Sequence, residues 1–118
     1  MHESSIVDSL LSSVLEYVKP GERVRRIDVR VGVLSGVSPG AMQFYFEILR
    51  EGTAAAEAEL HISMEPLHVR CQTCGGTSDL PEIELECPVC GKPSLEYMNG
   101  DELDIVSLEV DDGIGHHY

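Results

Sequence analysis

The sequence predicts an α+β (mixed α/β) fold, in which two helices pack on a small mixed β-sheet and a four-cysteine lobe is inserted. Apolar residues recur at helical spacing in two segments and alternate as in strands in three others, and four cysteines form two matched pairs. The 118 residues leave room for one modest core beside the lobe. We expect residues 1–69 plus 99–118 to form the α/β domain, and residues 70–98 to form the lobe.

The first helix is predicted from an amphipathic pattern near the start of the chain. Ser4 or Ser5 is a suitable N-cap, and Lys19-Pro20-Gly21 ends the helix. Between these limits apolar residues recur three and four apart: Ile6, Val7, Leu10, Leu11, Val14, Leu15 and Val18. A strand follows from about Val24 to Leu34, because apolar and charged residues alternate there.

The second helix is predicted to begin after Ser38, which can cap it, with Pro39 at the first helical position. Gly52 marks its end. Its inner stripe contains one methionine, two aromatic residues and one leucine: Met42, Tyr45, Phe46 and Leu49. At this spacing such a stripe is typical of a hydrophobic core rather than of a cofactor pocket.

Two further strands are predicted on either side of the lobe. The first contains Leu60, Ile62 and Met64 and ends before Pro66, which suits a sheet edge or bend. The last spans Asp101 to Val110. In that strand one face is expected to carry Asp104, Val106, Leu108 and Val110, opposite Leu103 and Ile105.

The four cysteines have the spacing of a zinc site. They lie in Cys71-Gln72-Thr73-Cys74-Gly75 and Cys87-Pro88-Val89-Cys90-Gly91, so two C-x2-C turns, each followed by glycine, can bring four thiolates to one tetrahedral ion. Two disulfides would need an oxidising compartment, and a redox C-x-x-C normally opens a helix in a βαβ unit. Because four thiolates leave no open coordination position, the zinc is expected to be structural rather than catalytic.

The charge balance restricts the partners. Eight basic residues against 21 acidic ones give a net charge of −13, which argues against binding to nucleic acid and favours a cationic partner or a metal ion. An acidic surface can also serve solubility alone. The chain shows neither an export signal nor an apolar run of membrane-spanning length, so we expect a cytoplasmic protein with no membrane partner.

The amino terminus, Met1-His2-Glu3, is a second candidate metal site. A large second residue should block removal of the initiator methionine, so a free α-amine, the His2 amide nitrogen and the His2 ring nitrogen can chelate one ion. Glu3 offers a carboxylate nearby. A plane of such nitrogens suits Ni(II) or Cu(II). The alternative is a terminal histidine that is simply solvated.

Taken together, these motifs resemble the HypA/HybF family, the nickel metallochaperones of [NiFe]-hydrogenase maturation. The resemblance extends over nearly the whole chain. It rests on Met1-His2-Glu3 with Ser5-Ile6, on the segment 32–39, on Phe44 to Glu47, on the paired cysteines, and on the segments 100–105 and 107–110. Some family members carry a further nickel-binding histidine in the zinc lobe, whereas here no histidine lies between Cys71 and Cys90.

The resemblance implies a nickel domain with Met1, His2 and Glu3 as nickel ligands. It also implies a structural zinc ion bound by all four cysteines: Cys71, Cys74, Cys87 and Cys90. The implied partners are the GTPase HypB and the hydrogenase large-subunit precursor, and some members also serve urease. We expect a monomer or homodimer.

No nucleophile pattern or phosphate-binding loop stands out in the sequence, so we expect a non-enzymatic carrier. His61 and His68 are expected to be ordinary surface histidines, and His116-His117 to bind a divalent ion weakly at most. The rival interpretation is a zinc-ribbon adaptor for protein partners that has no nickel-transfer role.

Overall fold

The computed structural model describes residues 3–111. The helices are α1 (Glu3–Tyr17) and α2 (Pro39–Leu49), and a short 3-10 turn covers Val33–Ser35. The strands are β1 (Arg23–Gly32), β2 (Glu59–Glu65), β3 (Leu67–Cys71), β4 (Thr77–Leu80), β5 (Leu95–Tyr97) and β6 (Leu103–Asp111). They form two three-stranded sheets with the orders β2-β1-β6 and β4-β3-β5. The predicted α+β class with a four-cysteine lobe is confirmed, and the second sheet is an addition to it.

The described chain divides into two compact units. The helical unit contains the described residues up to Val29, Val37–Ile62 and those from Ile105 onward. The cysteine unit contains Arg30–Gly36 and Ser63–Asp104. Three strands, β1, β2 and β6, therefore pass from one unit into the other along the chain.

Helix α1 begins two or three residues earlier than a cap at Ser4 or Ser5 would place it. Glu3 is its first residue, so Ser4 and Ser5 lie inside the first turn and the predicted serine cap is wrong. An acidic residue in that turn interacts favourably with the positive end of the helix dipole. The buried residues of α1 follow the predicted pattern: Ile6, Val7, Leu10, Leu11 and Val14.

Helix α2 begins as predicted. Ser38 is the N-cap, and its hydroxyl oxygen accepts a hydrogen bond from the Ala41 backbone amide at 3.3 Å. Within the predicted inner stripe Met42 and Phe46 are fully buried, whereas Tyr45 and Leu49 are half-buried. The core of the helical unit combines the α1 residues with Met42, Phe46, Val24, Ile27, Val29 and Leu60.

Strands β1 and β6 are joined by polar side chains on their exposed surfaces. Arg25 lies 2.8 Å from Asp111, and the Ser107 hydroxyl donates to Asp28 at 2.9 Å. Later residues of β1 thus contact earlier residues of β6, which is the order of an antiparallel pair. Strand β1 ends at Gly32 rather than Leu34, because the 3-10 turn begins at the next residue.

Strand β6 does not have one buried and one exposed face, as the alternation of its residues had suggested. Val106 is 58% exposed, whereas Leu108 and Val110, which were expected on the same face, are half-buried. Since β6 is an edge strand, part of its apolar surface stays uncovered among the described residues.

Candidate metal centre

Each cysteine pair lies on a turn of the same construction. In the first turn the Gly75 amide donates to the Cys71 carbonyl at 2.8 Å, and in the second the Gly91 amide donates to the Cys87 carbonyl at 2.9 Å. Both glycines have left-handed backbone angles, with φ of 76° and 77°, which other residues adopt only at a cost. The sequence therefore specifies both turns locally.

Backbone amides in these turns point at sulfur atoms. The Cys74 amide donates to the Cys71 sulfur at 3.4 Å. In the second turn the Val89 and Cys90 amides donate to the Cys87 sulfur at 3.4 and 3.5 Å. Hydrogen bonds of this kind favour the charged thiolate, which is the form that binds a metal.

The four sulfur atoms lie within 4.8 Å of one another. The Cys71 and Cys90 sulfurs are 3.5 Å apart, and those of Cys74 and Cys87 are 3.8 Å apart. A tetrahedral ion with zinc–sulfur bonds of about 2.3 Å requires sulfur separations of about 3.8 Å. A disulfide requires about 2.05 Å, and all four cysteines are free. The donor set and its spacing therefore fit zinc, and the disulfide alternative is excluded.

The thiols in each pair differ in pKa. The Cys74 backbone amide, as the main cause, lowers the pKa of Cys71 to about 6, and the Cys90 backbone amide lowers the pKa of Cys87. The Gly76 and Lys92 backbone amides act in the lowering direction on Cys74 and Cys90. Interaction with neighbouring sulfurs and loss of hydration outweigh them, so the pKa of Cys74 is raised and that of Cys90 is raised to about 11. Each turn thus pairs one cysteine whose pKa is lowered with one whose pKa is raised.

A small sheet and core hold the first turn. Cys71 is the last residue of β3, and Leu67 and Val69 on the same strand pack with Leu80 in a buried cluster. The Gln72 amide donates to the Ser94 carbonyl at 3.0 Å, just before β5 begins. Strand pairing therefore positions the first two cysteines.

Asn99 connects the chain segments that flank this sheet, a role the sequence analysis missed. Its side-chain oxygen accepts from the His68 amide at 2.7 Å, and its side-chain nitrogen donates to the Pro66 carbonyl at 3.2 Å.

Next to Asn99, the backbone at Gly100 approaches Gly32 closely. The Gly32 amide donates to the Glu102 carbonyl at 2.8 Å. A Cβ on Gly32 would lie 2.2 Å from the Gly100 carbonyl oxygen, so only glycine fits there. The Asn-Gly dipeptide was the available sequence clue.

The predicted nickel ligands are described only in part. Met1 and His2 lie outside the described residues, as do His116 and His117, whereas Glu3 is the half-buried first residue of α1. His68 is exposed and contacts Asp79, whereas His61 is half-buried and lies 3.7 Å from Glu59. Within residues 3–111, the four cysteines are the one group of three or more histidine, cysteine or acidic residues close enough to hold an ion.

Neither helix of the described chain is long and apolar enough to cross a membrane.

The chain is similar to known proteins over nearly its whole length. A family model described as hydrogenase/urease nickel incorporation, metallochaperone, hypA matches residues 1–110. The hydrogenase maturation factor HypA of Aquifex aeolicus is 37% identical over 113 residues, which cover 94% of this chain and 98% of that protein. HypA of Rhizobium leguminosarum bv. viciae is 38% identical over 112 residues, covering 93% and 99%.

Solved structures extend this likeness to the fold. The solution structure of the Ni metallochaperone HypA from Helicobacter pylori has a TM-score of 0.62 and 26% identity, covering 92% of this chain and 96% of that one. A second solution structure of a HypA protein has a TM-score of 0.66 and 26% identity, covering 95% and 98%. The chain therefore belongs to the HypA family of hydrogenase and urease nickel-incorporation metallochaperones.

Proposed function

We propose that this protein binds Ni(II) at its amino terminus through Met1, His2 and Glu3 and delivers it for maturation of [NiFe]-hydrogenase. The observation that carries the proposal is the family match over residues 1–110, a stretch that includes these three residues. The chemistry of the ligands supports it independently. An α-amine, an amide nitrogen and an imidazole suit the square-planar preference of Ni(II).

Reversible exchange is the central requirement of a carrier. Ligands at a chain terminus can be replaced one at a time by those of an acceptor, which allows transfer without a free ion. Glu3, in the first turn of α1, adds a carboxylate close to the two preceding residues. The nickel ligands of this proposal therefore include the first residue of the helical unit that the structure describes, Glu3.

The four cysteines play a different part in this proposal. Cys71, Cys74, Cys87 and Cys90 bind a structural Zn(II), which closes the lobe and takes no part in nickel transfer. The division into a nickel domain of residues 1–69 plus 99–118 and a zinc domain of residues 70–98 belongs to the same proposal. Partners are the HypB GTPase, the hydrogenase large-subunit precursor and, as further candidates, urease-maturation proteins.

Nickel titration of the untagged, zinc-loaded protein tests the site. His2→Ala, or an extension of two residues before Met1, should abolish tight nickel binding, because each removes or displaces a ligand. His61→Ala is the matched control, since it removes a half-buried histidine from the same unit. X-ray absorption at the nickel edge should show nitrogen and oxygen neighbours without sulfur.

The adaptor interpretation predicts the opposite outcome. If the His2→Ala protein binds nickel as tightly as the wild type, or if nickel is surrounded by sulfur, the proposed site is wrong. Binding should also weaken as the pH falls from about 8 to about 6, because the amine and imidazole must lose protons to bind the metal. Equal nickel affinity at the two pH values would contradict these ligands.

A further inference from the structure

Helix α2 carries apolar side chains on the face turned away from its core. Phe44 is 60% exposed and Ile48 is 52% exposed, whereas Phe46 is 1% exposed. Helical residues two apart in sequence are separated by about 200° around the helix axis. Phe44 therefore points nearly opposite to both Met42 and Phe46. Phe44 and Ile48 are four residues apart and therefore adjacent on the surface. The chain has only two phenylalanines, and it exposes one of them here.

A groove of about 220 Å³ runs beside this face, between α2 and β2. Its lining includes Gln43 and Glu47 from the helix, and Glu59 and His61 from the strand. Glu47 lies at the border, since it is adjacent on the helix both to Gln43 in the groove and to Phe44 of the exposed apolar pair. The groove and the apolar face thus form one continuous surface on the helical unit.

The groove offers negative charge to a ligand. Arg50, its one arginine, is already engaged: it donates to the Ala58 carbonyl at 2.7 Å, and its guanidinium carbon lies 5.6 Å from the centre of the Phe46 ring. Gln43 likewise donates to the Leu60 carbonyl at 2.6 Å. Glu47 and Glu59 are both exposed in the groove lining, and Glu59 lies 3.7 Å from His61.

Cations near this surface are few: Arg50 follows α2 directly, and Arg26 on β1 interacts with Glu59. Neither α1 nor α2 includes a lysine or arginine, and Glu51 is exposed just after α2 ends. A second copy of this chain would place the same carboxylates against one another, and nucleic acid or an anionic membrane would meet the same repulsion. Charge complementarity therefore favours a cationic protein segment.

We infer that the surface formed by Phe44, Glu47, Ile48, Glu51 and the adjoining groove, here called the α2 surface, binds an amphipathic basic helix of a protein partner. Apolar residues of that helix cover Phe44 and Ile48, and a lysine or arginine enters the groove between Glu47 and Glu59. A helix laid on an exposed apolar face, with charged pairs at its rim, is a recurrent mode of recognition. The inference rests on the proposed function, because it names the docking surface that a carrier uses when it meets a partner.

The test uses the zinc-loaded full chain and a labelled synthetic helix of about eighteen residues made only of leucine and lysine, at about 150 mM salt to suppress diffuse attraction. Fluorescence anisotropy measures its affinity. Phe44→Ser, Ile48→Ser and Glu47→Lys should each weaken binding at least about tenfold, as expected for central interface residues. NMR shifts in the wild type should map to α2 and β2.

Two matched controls separate this surface from general attraction to an acidic protein. Ile83→Ser removes an aliphatic side chain that is 54% exposed in the cysteine unit, and Glu82→Lys reverses an exposed charge there. Both should change the affinity by less than about twofold if the α2 surface is the docking site.

The inference is overturned by any of four results: no binding at about 100 µM peptide, equal losses of affinity in test and control variants, NMR shifts confined to other residues, or Phe44-dependent self-association in sedimentation.

Nickel titrations on the same variants keep this question separate from the nickel site. Loss of peptide binding with normal nickel binding supports docking at α2. Loss of nickel binding in His2→Ala with normal peptide binding supports the terminal site.

Discussion

The helical unit and the cysteine unit are stabilised by different means. The helical unit buries a continuous set of side chains from α1, α2 and β1, with Phe46 at 1% exposure among them. The cysteine unit has a far smaller buried cluster, centred on Leu67, Val69 and Leu80, and adds four convergent thiols. Small lobes rarely bury enough apolar surface to fold alone, so a metal ion supplies the difference. The comparison predicts that each unit responds to a different perturbation.

Metal removal should give the largest difference. Structural zinc sites contribute an apparent free energy of about 10–16 kcal/mol near neutral pH. Chelation, or Cys87→Ser, should therefore disorder the cysteine unit, seen as collapse of the amide NMR signals of Val69 and Leu80. Signals from Val14 and Phe46 should persist. His68→Ala, an exposed substitution in the same unit, is the control that keeps zinc and order. A zinc-free protein with an intact cysteine unit would show that its apolar cluster is sufficient.

A cavity in the helical core should have the converse effect. Phe46→Ala should lower the free energy of unfolding of the helical unit by about 3–5 kcal/mol, because it removes a fully buried ring. Phe44→Ala, two residues away on the exposed face, should change it by less than about 0.5 kcal/mol. Denaturant unfolding followed by circular dichroism measures both, and zinc content by atomic absorption should stay constant. Equal effects of the two substitutions would contradict the assignment of the core.

Zinc binding to the cysteine unit should depend on pH with a definite sign. Cys74 and Cys90 have raised pKa values, so both hold protons at neutral pH that zinc must displace. Cys71, with a pKa of about 6, is already a thiolate there. Zinc affinity should therefore rise at least about 100-fold per pH unit between about pH 7 and pH 8, since at least two protons are released.

Calorimetry in buffers of different ionisation enthalpy counts those protons, and it should find at least two. Cys74→Ser removes one of the proton-bearing ligands and should weaken zinc binding. A pH-independent zinc affinity would show that all four thiols are already ionised before the metal arrives.

Features that depend on neighbouring residues could be predicted from the sequence in both units. Helix α2 could be predicted because its cap, Ser38, and its first residue, Pro39, act locally. The cysteine turns could be predicted because Gly75 and Gly91 supply the left-handed angles that each turn needs. In both cases the information lies within a few residues of the structure that it determines.

Features that depend on distant pairing were not predictable in the same way. Strands β4 and β5 are four and three residues long, too short for a periodic pattern, and they exist because they pair with β3, as in Leu67 with Leu80 and Val69 with Tyr97. The exposure of Val106 depends on its strand being at a sheet edge, which alternation along the chain does not encode. The amino-terminal chelate is a matter of chemistry at Met1 and His2, so it stays a prediction.

The smallest expected effect tests how local the stability of the helical unit is. Ser38→Ala removes the hydroxyl that accepts from the Ala41 amide, and should lower the free energy of unfolding of this unit by about 1 kcal/mol. Ser12→Ala, at an exposed position inside α1, is matched in chemistry but should be neutral or stabilising by up to about 0.5 kcal/mol, because alanine is the better helix former. Thermal unfolding of the zinc-loaded protein measures both. If Ser38→Ala also lowers zinc affinity, the cap stabilises more than its own helix, and the two units are coupled rather than separately stabilised.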